Sequence, residues 1–141
     1  MKRRVTTMNE RQENGKKRRP ESKGASRNFR DLKVWQKGME IVRQTYRASA
    51  GFPQKEQYGL TSQMQRAAVS VPANVAEGFN RYHNKDYRQF LYVALGSCAE
   101  LETHVEIATE LKYLDDAKKG VLLEMLDHES RMLTSLISKL A

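Results

Sequence analysis

Glu100 with His104 and Glu124 with His128 are the side chains in this 141-residue chain that most resemble a metal-binding set. Helical bundles build di-metal sites from such residues, but the ligand pair there is Glu-x-x-His, spaced i, i+3, and both pairs here are spaced i, i+4. At about 100° per residue, Glu100 and His104 point away from a seam through Cys98, Leu101 and Val105. Glu124 and His128 likewise oppose a seam through Leu126 and Leu133, so no buried metal site is expected. Cys98 lies on its seam, where a small thiol packs far more often than it reacts. His83 stands beside Arg81 and Lys85 with no acidic or serine partner at a recognisable spacing. Glycine-rich phosphate loops, paired catalytic carboxylates and Cys-x-x-Cys are all missing. The residues read as non-enzymatic, with no cofactor.

The remaining chemistry is electrostatic. Tyr82, Tyr87 and Tyr92 interleave with Arg81, Lys85 and Arg88, a mixture that stacks on bases beside phosphate contacts. The competing reading, which the sequence favours, packs Tyr87 and Tyr92 at a bundle end or subunit interface with the charges solvated. Lys33, Lys37 and Arg47 fall near one side of the first helix, and Arg66 lies on the second. If nucleic acid meets the folded part, it is expected at helices one and two and the start of helix three. Residues 31–98 carry 9 basic and 5 acidic side chains, and residues 99–141 carry 5 and 9, so two oppositely charged halves are available to steer helices or subunits.

The net charge of +8 has a definite address. Residues 1–30 hold 11 Lys and Arg against 3 Asp and Glu, and the rest of the chain is balanced. This leader is polar, with too few apolar residues to offset the entropy of ordering it, so residues 1–28 read as a disordered basic tail. Its GKKRR cluster, with Lys16, Lys17, Arg18 and Arg19, has two open readings. One is a phosphate-binding arm whose contribution falls with salt. The other is a solubilising tail, or an over-long start with Met8 as the true first residue.

The elements that position these groups follow from length and periodicity. A chain of this size supports one domain. One cysteine excludes an intrachain disulfide and fits a reducing, cytoplasmic setting. No run approaches the roughly 18 apolar residues of a membrane span, and the basic start lacks the apolar core of a secretory signal.

From Asp31 the pattern is helical throughout. Leu32, Trp35, Met39, Val42 and Tyr46 predict a first helix over about 31–49, stopped by Gly51 and Pro53. The second begins between Gln54 and Ser62, opened either by Pro53 or by a Ser62 and Gln65 capping box, and is placed at about 57–79. Its seam is Leu60, Met64, Ala67, Val71, Val75 and Gly78, small enough for close approach of a neighbour. The third, about 84–111, has Asn84 as N-cap, Asp86 in its first turn and a seam from Leu91 to Leu111. Asp115 or Asp116 caps the fourth, about 116–140, whose seam is Leu122, Met125, Leu126, Met132, Leu133, Leu136 and Leu140. Short connections make neighbours antiparallel, so residues 29–141 are predicted to form an all-α, up-down-up-down four-helix bundle.

Pro72 stands inside the second helix, in VSVPANVAEGFNR. It removes a hydrogen bond to the Ala68 carbonyl, which predicts a bend near 68–72 without a break, since the seam stays in phase. Ser70 is expected to bond a carbonyl one turn back. Gly78 is expected in a left-handed C-cap closed by Phe79.

FRDLKVWQKGMEIV at 29–42, YGLTSQMQRAAVSVPANVAEGFNR at 58–81 and FLYVALGSCAELETHVEIATELKYL at 90–114 resemble successive signatures of one family. It is the bacterial four-helix-bundle family named for proteins encoded in intervening sequences of large-subunit (23S) ribosomal RNA genes. That family is similar in fold to the accessory variability protein of diversity-generating retroelements, a basic homopentamer that works with a reverse transcriptase and its RNA. The resemblance implies a homo-oligomeric ring, most simply a pentamer, that binds RNA or single-stranded DNA as an accessory of a ribonucleoprotein with a reverse transcriptase as partner. Trp35, Pro72 and Gly78 take structural roles. The competing reading is a homo-oligomeric protein-protein scaffold without nucleic acid.

Overall fold

The computed structural model describes residues 28–141. The expected disordered leader, with Lys16, Lys17, Arg18 and Arg19, falls outside that range. Asn28 accepts the Arg30 N–H on its side-chain oxygen at 2.8 Å and sets a 3-10 turn over Phe29–Asp31. Four helices follow: α1 (Lys33–Ser49), α2 (Leu60–Phe79), α3 (Asn84–Glu110) and α4 (Asp116–Lys139). Among the described residues there is no strand. Each helix packs on the two beside it, α1 on α2 and α4, α3 on α2 and α4. The cross-helix bonds fix the directions. Gln65 donates to Ser49, Ser70 meets Ser97, and Arg88 reaches Leu140 while Lys119 reaches Glu106, so every neighbouring pair in sequence is antiparallel. The molecule is an up-down-up-down four-helix bundle.

The buried face of α1 differs from the expected seam. Val34, Gly38, Ile41, Thr45 and Ser49 point inward, while Trp35, Met39 and Val42 are half-buried and Tyr46 is 45% exposed. Both sets have helical spacing, so periodicity alone does not choose between them; close approach does. A Cβ at Gly38 would lie 3.2 Å from Cβ of Pro72, so Gly38 is the point of α1 that comes closest to Pro72 of α2, and Trp35 and Met39 are left at the flanks. Trp35 packs instead against Phe29, ring centres 5.5 Å apart.

The start of α2 is set by neither expected cap. Pro53 begins a 3-10 turn over Gln54–Glu56, and the Glu56 carboxylate then accepts the Leu60 N–H at 3.1 Å. The same carboxylate accepts the Tyr113 hydroxyl at 2.9 Å, so the α1–α2 and α3–α4 connections are tied together, with the Phe52 ring tilted against that of Tyr113. Both bonds hold the Glu56 carboxyl below the usual carboxylate range, the Leu60 amide most of all. The helix then runs unbroken through Pro72, which is buried.

Two expectations within α2 are corrected. Ser70 bonds Ser97 across the helix interface at 2.8 Å rather than a carbonyl of its own helix, and Asn74 donates to both the carbonyl and hydroxyl oxygens of Ser70. Gly78 stays right-handed, and the C-cap is Asn80. Glycine is needed there for space: a Cβ would come within 2.7 Å of Phe90 Cβ and 3.1 Å of Tyr87 Cδ1.

His83, not Asn84, occupies the N-cap position of α3, with Asp86 in the first turn. Leu111, expected in the seam, is the half-exposed C-cap. Beyond it Lys112 adopts φ 65°, its N–H bonding Thr109 O, and the Tyr113 N–H bonds Ala108 O. That pair of bonds is the Schellman ending, here with lysine where glycine is usual. Asp115 caps α4 by accepting the Lys118 N–H at 2.8 Å.

Candidate nucleic-acid interface

The antiparallel order brings the start of α1, the end of α2, the start of α3 and the end of α4 to one end of the bundle. The turn between α2 and α3 is pinned from below, because Phe79 and Tyr87 are buried and meet edge to face at 5.9 Å. The turn itself therefore presents Arg81, Tyr82 and His83 outward, the last two in edge contact at 4.6 Å.

Of the residues expected to bind nucleic acid, Lys33, Arg81, Lys85 and Arg88 share this end. Lys33 and Lys85 are exposed in the first turns of α1 and α3. Arg81 bonds Glu77 at 2.9 Å and lies over the Phe90 ring at 4.7 Å. Arg88 is engaged in the fold, where its Nη1 donates to the Leu140 carbonyl at 2.9 Å and satisfies the end of α4. Lys37 is one turn further along α1, half-buried and bonded to Glu40 at 3.1 Å. Arg47 and Arg66 lie elsewhere. Arg47 lines an apolar groove with Ala48, Lys118 and Val121 near the opposite end, and Arg66 is exposed along α2.

Sequence reasoning missed two cations at the basic end. Arg30, counted with the leader, stacks on Phe29 at 4.6 Å just before α1, and Lys139 closes α4. Asp31, Glu77 and Asp86 moderate the local charge. Of the three tyrosines in the interleaved cluster, Tyr87 is fully buried, so packing explains it, whereas Tyr82 and Tyr92 keep exposed faces. Phe90 and Gln89 border two shallow grooves, one completed by Tyr92 and Val93, the other by Arg81 and Asp86. Tyr92, half exposed at the edge of the first groove, offers an aromatic surface of the kind on which bases stack.

The interior holds polar groups that periodicity did not reveal. His104 is buried, not turned away from the core, with Nδ1 unpartnered and Nε2 3.9 Å from the exposed Glu100 carboxylate. α3 is flanked by α2 and α4, so its buried arc is wide enough to take in His104 with Leu101, Val105 and Ala108. Glu124 and His128 do face outward, onto a groove shared with Lys37. Among the described residues, no three His, Cys, Asp or Glu side chains come together as a metal-ion set. Thr45 and Glu129 are wholly buried without hydrogen-bond partners for their side-chain oxygens. Burial pushes the Glu129 carboxyl up to about 8, opposed by the charge of Lys37. Burial, with the Glu129 charge second, pushes the Cys98 thiol up to about 12, which suits a packing role.

A family model described as 23S rRNA-intervening sequence protein matches residues 30–135. A solved structure from Bacteroides thetaiotaomicron, described as a protein of unknown function from the S23 ribosomal protein family, superposes with a TM-score of 0.67 at 20% identity. The match covers 74% of this chain and 97% of that one. A comparison with curated proteins returns no match.

Proposed function

Because the chain belongs to the 23S rRNA-intervening sequence protein family, we propose that it is a non-enzymatic helical-bundle protein that binds RNA or single-stranded DNA at its basic end. The observation that carries this reading is the convergence of Arg30, Lys33, Arg81, Lys85 and Lys139 from separate segments. They gather at the end to which the basic leader is joined, next to the Phe90 and Tyr92 grooves. The leader adds phosphate contacts, and the folded end adds stacking. The resemblance to the retroelement accessory protein supports a homo-oligomer, most simply a pentamer, and a reverse transcriptase as partner within a ribonucleoprotein. A cytoplasmic location accords with the single, buried cysteine, and no described helix is long and apolar enough to cross a membrane.

Binding of the full chain to single-stranded RNA and DNA across a salt series tests the reading. The expected result is affinity that falls steeply with salt. No complex at low salt overturns it.

The scaffold reading has an observation of its own. Tyr58 is 91% exposed, and Tyr92 and Val93 are about half exposed on neighbouring positions of α3, a kind of surface that interfaces use. Oligomerisation without any nucleic-acid affinity selects it.

A further inference from the structure

Glu129 projects from α4 into the core with no part of it exposed, and neither carboxyl oxygen meets a hydrogen-bond partner among the described residues. Such a group keeps its proton, because an isolated charge there is strongly disfavoured. Its surroundings are sparse in charge. From α3 comes the buried Cys98 thiol, with Glu102 acting on that thiol, and from α1 comes Lys37. On α4 itself, Glu124, His128 and Arg131 line the groove between α1 and α4 whose other wall is Lys37, and Arg131 is bonded to Asp127 at 2.9 Å. Lys37 is bonded to Glu40 at 3.1 Å, with both side chains partly open to solvent.

We propose that Lys37 is a two-position counter-ion: it pairs with Glu40 at the surface while Glu129 is protonated, and turns inward through the α1–α4 groove onto Glu129 when that proton is lost. A surface pair three residues apart on a helix is weak and screened by salt. A buried carboxylate without a partner is far more costly, so ionisation of Glu129 reverses the order of preference. The four-carbon stem of lysine permits the exchange by side-chain rotation, with the helices in place. The value of about 8 for Glu129 puts the exchange in reach of mild alkali.

Carboxyl-carbon NMR of the full-length chain, titrated between pH 5 and 10, reads the Glu129 proton, and nuclear Overhauser contacts read the position of Lys37. The Lys37–Glu40 contact is expected below the Glu129 midpoint and lost above it. Glu40→Gln, a surface change, is expected to lower that midpoint by freeing Lys37, and Lys37→Met to raise it by about a unit or more. Glu129→Gln is expected to leave the Lys37–Glu40 contact unchanged across the range. A Lys37–Glu40 contact that persists at pH 10 in the wild-type chain overturns the proposal, as does a Glu129 midpoint in the ordinary carboxylate range. Should Lys37→Met fail to fold, the wild-type contact and Glu40→Gln still decide it.

Discussion

A Cβ placed on Gly78 would lie 2.7 Å from the Cβ of Phe90, closer than two such carbons approach without one backbone giving way. The end of α2 and the start of α3 therefore touch through a glycine, and Phe79, Tyr87 and the turn that carries Arg81 depend on that contact. Gly78→Ala is expected to lower stability by about 1–3 kcal/mol through overpacking. Gly120→Ala, with open space around its site, is expected to raise it by up to about 1 kcal/mol through helix propensity alone. Urea denaturation of both variants checks the opposed signs.

Glu129 gives stability a downward slope with pH. Below about pH 4.5 folded and unfolded chains both hold the proton, and between there and about 8 the folded chain keeps a proton that the unfolded chain has lost. Over that window stability falls by up to about 1.4 kcal/mol per pH unit from this group, and the slope ends above the folded value. Glu129→Gln removes the slope, so its gain over wild type grows from pH 5 to pH 8. Melting temperatures across that range test it, and equal slopes in the two proteins refute it.

Glu56 acts in the opposite sense. Its carboxyl is lowered by the Leu60 amide and the Tyr113 hydroxyl, so its contribution is present above the unfolded carboxylate value of about 4.5 and is lost as pH falls through the folded one. Glu56→Gln is expected to melt earlier than wild type at neutral pH, with the gap narrowing in acid. Tyr113→Phe keeps the ring on Phe52 and should show a smaller loss.

Charge reversals separate the two ends of the bundle. Lys33→Glu and Lys85→Glu are expected to weaken nucleic-acid binding and each to reduce the salt slope by about 1. Arg66→Glu, away from the basic end, should leave the slope unchanged, and deletion of residues 1–27 should reduce it by several. Equal effects of all the reversals refute a localised interface.

Much of this architecture is legible in the chain itself. Four helices, their antiparallel order and the seam of α2 follow from spacings of three and four and from Gly51, Pro53 and Asp115. On α4 the expected Leu122, Leu126, Leu133 and Leu140 are buried, but Met125, Met132 and Leu136 only flank the core and Ile137, outside the expected seam, faces it. The phase of α1 does not follow from spacing, because its buried face includes the small or polar Gly38, Thr45 and Ser49, and the place of Gly38 depends on Pro72 across the interface. Glu129 is in plain phase, three residues past Leu126 and four before Leu133, but a search for apolar residues passes over a glutamate in a core position. His104 escapes the seam because a single line of residues understates the arc that a helix with two neighbours buries. The roles of Arg88 and Glu56 are long-range, since each bonds a residue more than 50 positions away, Leu140 and Tyr113. Local sequence contains no trace of those partners.

The Ser70–Ser97 bond has a consequence for how uniquely the chain folds. The buried faces of α2 and α3 are rich in small residues, Ala67, Ala68, Val71 and Val75 on one and Ala94 and Ala108 on the other, which fix register only weakly. A slip of one turn, about 5.4 Å, would part the two hydroxyls and leave Ser97 enclosed with its bonding unmet, a loss of about 1–3 kcal/mol. The pair of hydroxyls thus acts as a detent that adds to the close Gly78–Phe90 approach in holding the two helices to one alignment.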